Sequence, residues 1–300
     1  MSPFIIGLVA VSAVLHVAWN VRLKTAGDPL RAATVGMLAA ALVIIPVGTV
    51  AWWADGLPAL PIDGVALGLV SGVVEAAYFV FLAAAYRRGD LSVVYPLARG
   101  TAPLLAVAIG VGWLGERLGL AGSVGVVALL AGFLWLQRPW RALATVRQSG
   151  ASRRSVLDSP VIFALATGVT IAAYTTIDRL GSRLIEPVTY AAILWITTSV
   201  TLVLWVYVVA DGRLFRDGRE SVRRAAVGGW LTLGAYLCIL GALSVAPLSG
   251  VAPLRESATV FAAAWGSVRM GEAADRAETG RRVGASVLIV GGALLLAFGS

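Results

Sequence analysis

Four charged side chains fall inside otherwise apolar runs: Glu75, Arg99, Arg255 and Glu256. A charge in hydrocarbon is costly, so each calls for a partner, a wet cavity or a function. The four sum to zero. One use of that balance is internal pairing, as buried salt bridges that fix helix register. The other is to receive a zwitterion, because a guanidinium fork grips a carboxylate bidentately while a carboxylate takes an ammonium. Arg255 and Glu256 are adjacent and cannot lie on one helical face, so at most one of them points squarely into a central cavity.

Polar and aromatic residues recur around these charges at helical spacing. His16, Trp19 and Asn20 share one face, as do Glu75, Tyr78 and Phe79. Tyr95 falls beside Arg99, Thr170 lines up with Tyr174 and Asp178, and Thr232 with Tyr236. Such faces predict a cavity whose aromatic rings stack on apolar or cationic parts of a solute. Glu75, Glu256 and His16 are the candidate proton carriers, since a carboxylate or imidazole moved between dry and wet surroundings can take up and release a proton. Pro96, Pro103, Pro247 and Pro253 mark places where the helical ladder is expected to break, and Pro96 and Pro253 read as paired hinges.

The elements that position these residues are membrane-spanning helices. The chain has 300 residues, 59% hydrophobic, and only 24 basic and 16 acidic side chains. A soluble chain of this length would carry about 25% charged residues. Apolar runs fall at 3–21, 32–54, 64–86, 91–113, 119–137, 159–178, 188–210, 225–246, 250–268 and 282–299. Each has the length of one helical span. None shows the alternation of a membrane barrel strand, so the fold class is an all-α membrane protein of ten transmembrane helices. Trp52, Trp53 and Trp140 lie near span ends, as interfacial belt residues do.

The two halves repeat. Tyr95-Pro-Leu-Ala-Arg99 lies over Ala252-Pro-Leu-Arg-Glu256, and Gly115-Glu116 over Gly271-Glu272. Asp28-Pro29 matches Glu186-Pro187, and Gly125 and Gly132 recur as Gly284 and Gly291. Arg99 and Glu256 thereby become equivalent, which favours Glu256 for the cavity and leaves Arg255 to pair with Glu75. Five spans is an odd number, so the second copy enters from the opposite side. The expected organisation is a first five-helix repeat over 1–137, a cytoplasmic linker over 138–158, and a second, inverted repeat over 159–300 around a central cavity. Small residues in the fifth and tenth spans suit close helix contact within the chain or in a homodimer.

With these motifs the chain resembles the drug/metabolite transporter superfamily, specifically its EamA-type ten-span branch, over essentially its full length. The resemblance implies solute transport, often bacterial export of amino acids or related metabolites, through a cavity between the halves. It also implies a bacterial-type inner-membrane location. The compact four-span multidrug relatives carry a membrane-embedded Glu in their first span. Here that span holds His16 and Asn20 and no acid, which weakens a cationic-drug reading.

The net charge of +8 is an orientation signal rather than a nucleic-acid one. Connections after the odd-numbered spans hold 19 of the 24 Lys and Arg. The positive-inside rule makes them cytoplasmic and puts both termini outside. Asp178 and Arg179 count here as loop charges after the sixth span. The expected partners are a small-molecule solute and membrane lipid, with no nucleic acid, and the chain acts as a monomer or homodimer. No cofactor or metal is expected, since one His and one Cys make a poor ligand set. An intramembrane enzyme lacks its HExxH, GxSxG or Ser/His/Asp set. A phosphorylated cargo would want clustered Lys and Arg, and the only Lys is Lys24.

Overall fold

A computed structural model describes residues 1–24, 26–88, 91–138, 140, 144, 160–209, 212–256 and 276–298. The described residues exclude the side chains of Asn20, Val21, Lys24, 91–97, 99–100, Gln137, Glu256, 276–279, Arg282, Ala293 and 296–298. The helices are α1 (Pro3–Lys24), α2 (Pro29–Ala54), α3 (Ile62–Arg88), α4 (Leu91–Gly112) and α5 (Leu120–Gln137) in the first half. The second half has α6 (Pro160–Gly181), α7 (Pro187–Val209), α8 (Gly218–Val245), α9 (Leu248–Glu256) and α10 (Arg276–Phe298). By length and apolarity α2, α3, α6, α7 and α8 can each cross a membrane unaided, while α1, α4, α5 and α10 carry shorter apolar stretches. Their outward faces present Leu42, Val50, Leu69, Val127, Leu204 and Val208, the apolar exterior a lipid-immersed bundle requires.

Helix starts follow from local chemistry, and the two repeats use the same device. Asp28 accepts from the backbone amides of Leu30 and Arg31 at 3.0 and 3.3 Å, with Pro29 in the first helical position of α2. Glu186 accepts from those of Val188 and Thr189 at 3.0 and 2.9 Å, with Pro187 opening α7. A carboxylate cap satisfies amides that have no partner inside the helix, and proline has no amide to lose there.

Most of the larger helix pairings map onto one another when the repeats are exchanged. Helix α3 packs on α6 as α8 packs on α1, and α2 on α8 as α7 on α3; α2–α7, α4–α9 and α5–α10 pair with their own counterparts. A pseudo-twofold axis relating inverted repeats produces this pattern. In the outer pair, a Cβ on Gly132 would lie 2.8 Å from the Ala285 carbonyl oxygen, and one on Gly292 2.6 Å from that of Gly125. Those reciprocal contacts make Gly132 the equivalent of Gly292, one residue beyond the Gly291 expected from sequence.

Two expectations change. Helix α4 runs on through Pro96 and Pro103, and α9 through Pro253, so the ladder does not end at these residues. A helix tolerates proline where packing compensates for the missing hydrogen bond. The sixth span ends at Gly181 rather than residue 178, which moves Asp178 and Arg179 out of the connection and into the bundle. Only 1% and 8% of their surfaces are exposed.

Candidate functional site

The bundle encloses a small central chamber. Its walls come from α1 (Ser12, His16, Trp19), α3 (Glu75, Tyr78, Phe79), α6 (Tyr174), α8 (Thr232, Tyr236) and α9 (Arg255). Of the wall expected from spans 1, 3, 4, 6, 8 and 9, these residues place spans 1, 3, 6, 8 and 9 around the chamber. The fourth span contributes no described liner; Tyr95 and Arg99, like Asn20 and Glu256, have side chains outside the described residues. Pro96 also lies there, while Pro253 is buried in α9. Arg255, the alternative to Glu256, faces the chamber. Thr170 does not: its hydroxyl donates back to the carbonyls of Ala166 and Thr167.

Aromatic rings line the chamber in a continuous series. Ring centroids are 5.3 Å apart for His16 and Trp19, 6.3 Å for Trp19 and Phe79, and 4.8 Å for Tyr78 and Phe79. Tyr78 and Tyr174 follow at 5.9 Å, then Tyr174 and Tyr236 at 6.1 Å. These are edge and tilted geometries of the kind that rigidify a core. The Trp19 indole N–H donates to His16 Nδ1 at 3.0 Å, so that nitrogen presents a lone pair and any imidazole proton sits on Nε2.

The charged members are held by hydroxyls. Glu75 is 3% exposed, and its Oε2 accepts from Thr198 Oγ1 at 3.1 Å. Arg255 is 7% exposed and donates to the Tyr174 hydroxyl at 3.2 Å. A carboxylate and a guanidinium therefore share one aromatic-lined space. The chamber's free volume is about 20 Å³, room for roughly one water. A metabolite fits only if the walls part.

At one end of the bundle a wider vestibule of about 120 Å³ adjoins the chamber. It lies between the end of α1, the start of α2 and the start of α8, with Arg22, Arg31, Asp217 and Arg224 on its rim. Arg31 bridges Asp28 and Asp217 at 3.5 and 3.8 Å. Trp19, Phe79 and Thr232 line both spaces and form the partition between them.

The other end is pinned by a carboxylate. Glu116, in the α4–α5 connection, accepts from the backbone amides of Leu248 and Ser249 at 2.6 and 2.8 Å, and from the Ser249 hydroxyl at 2.7 Å. Arg179 Nε lies 3.7 Å from the same carboxylate. A residue of the first repeat thus caps α9 of the second. In the sequence the Gly115-Glu116 pair is only a repeat marker; its backbone partners lie more than 130 residues away, beyond any local motif.

Sequence reasoning also passed over Asp178 as an interior charge. The carboxylate accepts from Ser71 Oγ at 2.6 Å, from the Tyr190 hydroxyl at 3.0 Å and from the Tyr236 hydroxyl. It thereby ties α3, α7 and α8 to α6. Its spacing of four residues put it on the face of Tyr174 in the sequence, but its place at the end of the span counted it among the loop charges.

Comparison with known proteins agrees with this architecture. A solved crystal structure superposes with a TM-score of 0.67 at 20% identity, covering 98% of this chain and 96% of its own. That likeness shows the fold. No curated protein matches the sequence. The sequence model of the EamA-like transporter family matches residues 3–137 and 158–298, one match to each half. The chain is a multi-pass membrane protein that belongs to the EamA-like transporter family.

Proposed function

We propose that this transporter exports small zwitterionic metabolites, amino acids foremost, across a bacterial-type inner membrane by alternating access. The observation that carries the reading is Glu75 and Arg255 on the walls of one aromatic-lined chamber. An amino acid offers an ammonium to the first and a carboxylate to the second. Arg99 and Glu256, paired by the repeat, belong to the same site in this reading, as do Asn20 and Tyr95.

Direction follows from charge. The vestibule opens among the connections after α1 and α7, whose surplus of Arg makes them cytoplasmic by the positive-inside rule. Solute enters there, passes the Trp19–Phe79 partition, and leaves after the Glu116 clamp at the far end has opened. Pro96 and Pro253, at equivalent points of α4 and α9, serve as hinges for that exchange. Glu75, Glu256 and His16 are the groups through which a proton gradient would couple.

The test is uptake into proteoliposomes of labelled amino acids and a phosphorylated sugar, with and without a proton gradient. Uptake of amino acids is expected. Movement of the phosphorylated sugar alone would refute the zwitterion assignment.

A further inference from the structure

Asp178 stands behind the chamber wall rather than in it, and the direction of its hydrogen bonds has a consequence for the solute. An ionised carboxylate only accepts, whereas a hydroxyl has one hydrogen to give. Ser71, Tyr190 and Tyr236 each place their hydroxyl against Asp178. Of the three, Tyr236 lines the chamber. With its hydrogen committed to Asp178, the Tyr236 oxygen can offer a chamber ligand only lone pairs. Glu75, on α3 nearby, adds carboxylate oxygens to the same wall. Arg255, on α9, supplies donors. The chamber is therefore polarised, with acceptors on the α3 and α8 walls and a guanidinium on α9.

We infer that Asp178 is a specificity-determining positioning residue. By holding the Tyr236 hydrogen it turns that phenol into an obligate acceptor, and so selects solutes that bring N–H donors to the α8 wall. The inference rests on the zwitterion reading and sharpens it: the amino group is read by the Tyr236 phenol as well as by Glu75. A site built around a buried acceptor rejects analogues that leave it unpaired, because its desolvation is then uncompensated. Asp178 also cross-links α3, α6, α7 and α8. A purely structural residue would weaken binding of every ligand alike, whereas a positioning residue changes the ratio between ligands.

The experiment measures calorimetric binding of valine, isobutylamine and 3-methylbutanoate to the purified full-length protein, the three sharing a side chain and differing in their charged ends. The wild type is expected to prefer valine over 3-methylbutanoate by roughly 100-fold or more. Asp178→Asn lets an amide N–H meet the Tyr236 oxygen and releases the phenolic hydrogen toward the chamber. That ratio should fall by roughly tenfold or more, with affinity for 3-methylbutanoate nearly unchanged. Tyr236→Phe should lower it similarly. Ser71→Ala trims Asp178 without touching Tyr236 and should leave it alone. An unchanged ratio in both Asp178→Asn and Tyr236→Phe overturns the inference while valine binding preserves the zwitterion reading. If Asp178→Asn does not fold, an unchanged ratio in Tyr236→Phe overturns it alone. Failure of the wild type to bind valine refutes the zwitterion reading, and this inference with it.

Discussion

Removing the Glu116 carboxylate should open the end of the bundle remote from the vestibule. Glu116→Ala deletes two hydrogen bonds to the first amides of α9 and one to the Ser249 hydroxyl. It also leaves Arg179, 10% exposed in its side chain, without the carboxylate beside it. Hydrogen bonds to a charged group contribute about 1.5–3 kcal/mol each. A lost helix cap costs about 0.5–2 kcal/mol, since water partly replaces it. Taking the cap and the buried Arg179 left beside it together, the clamp contributes about 3 kcal/mol, which is roughly two decades in the closed-to-open ratio. The reporter is Ala106→Cys in a Cys238→Ser background. Ala106 is 1% exposed and packs with Leu248, Val251 and Ala252 of α9. Its modification by an impermeant maleimide should accelerate by roughly 100-fold in Glu116→Ala. Gly110→Ala is an independent route to the same state, because its Cβ would come 2.5 Å from Glu116 Oε2 and 3.1 Å from Ser249. An unchanged rate in both variants would refute the clamp.

Two further outcomes rest on packing and a third on loop charge. Gly229→Ala should abolish stable folding, because its Cβ would run into the Gly36 backbone where α8 crosses α2, whereas Gly228→Ala meets nothing within 4 Å and should gain about 1 kcal/mol of helix propensity; thermal unfolding in detergent separates them, and equal melting temperatures would contradict the assigned contact. Phe79→Ala should cost about 3–5 kcal/mol and merge vestibule with chamber, seen as a lower Tm and faster solute binding; no change in either removes Phe79 from the partition. A C-terminal reporter active only in the cytoplasm should be silent, and activity there would reverse the orientation read from loop charge.

The fold was legible because membrane spans are long, apolar and bounded by recognisable caps. Asp28-Pro29 and Glu186-Pro187 mark starts of α2 and α7 in sequence and cap them in space. Chamber residues with helical spacing, such as Glu75, Tyr78 and Phe79, were equally readable, since a face is a local property of one helix. What sequence could not supply was pairing between helices. Glu116 finds its amides across the repeat boundary, and Asp178 finds its hydroxyls on three other helices. Asp178 was further disguised by its place near a span end, where an acid usually reads as a loop charge. One more turn of α6 put it in the core.

The central claim is that solute occupies the space between Glu75 and Arg255. Its most direct test is amino-acid counterflow in proteoliposomes reconstituted with wild type, Glu75→Gln or Arg255→Gln, each confirmed folded by its melting curve. Brisk exchange is expected for the wild type and loss of more than about 90% of it in each variant, because one buried charge-assisted contact worth about 1.5–3 kcal/mol is removed. Exchange at the wild-type rate in both variants would contradict the claim and return the two charges to a structural role.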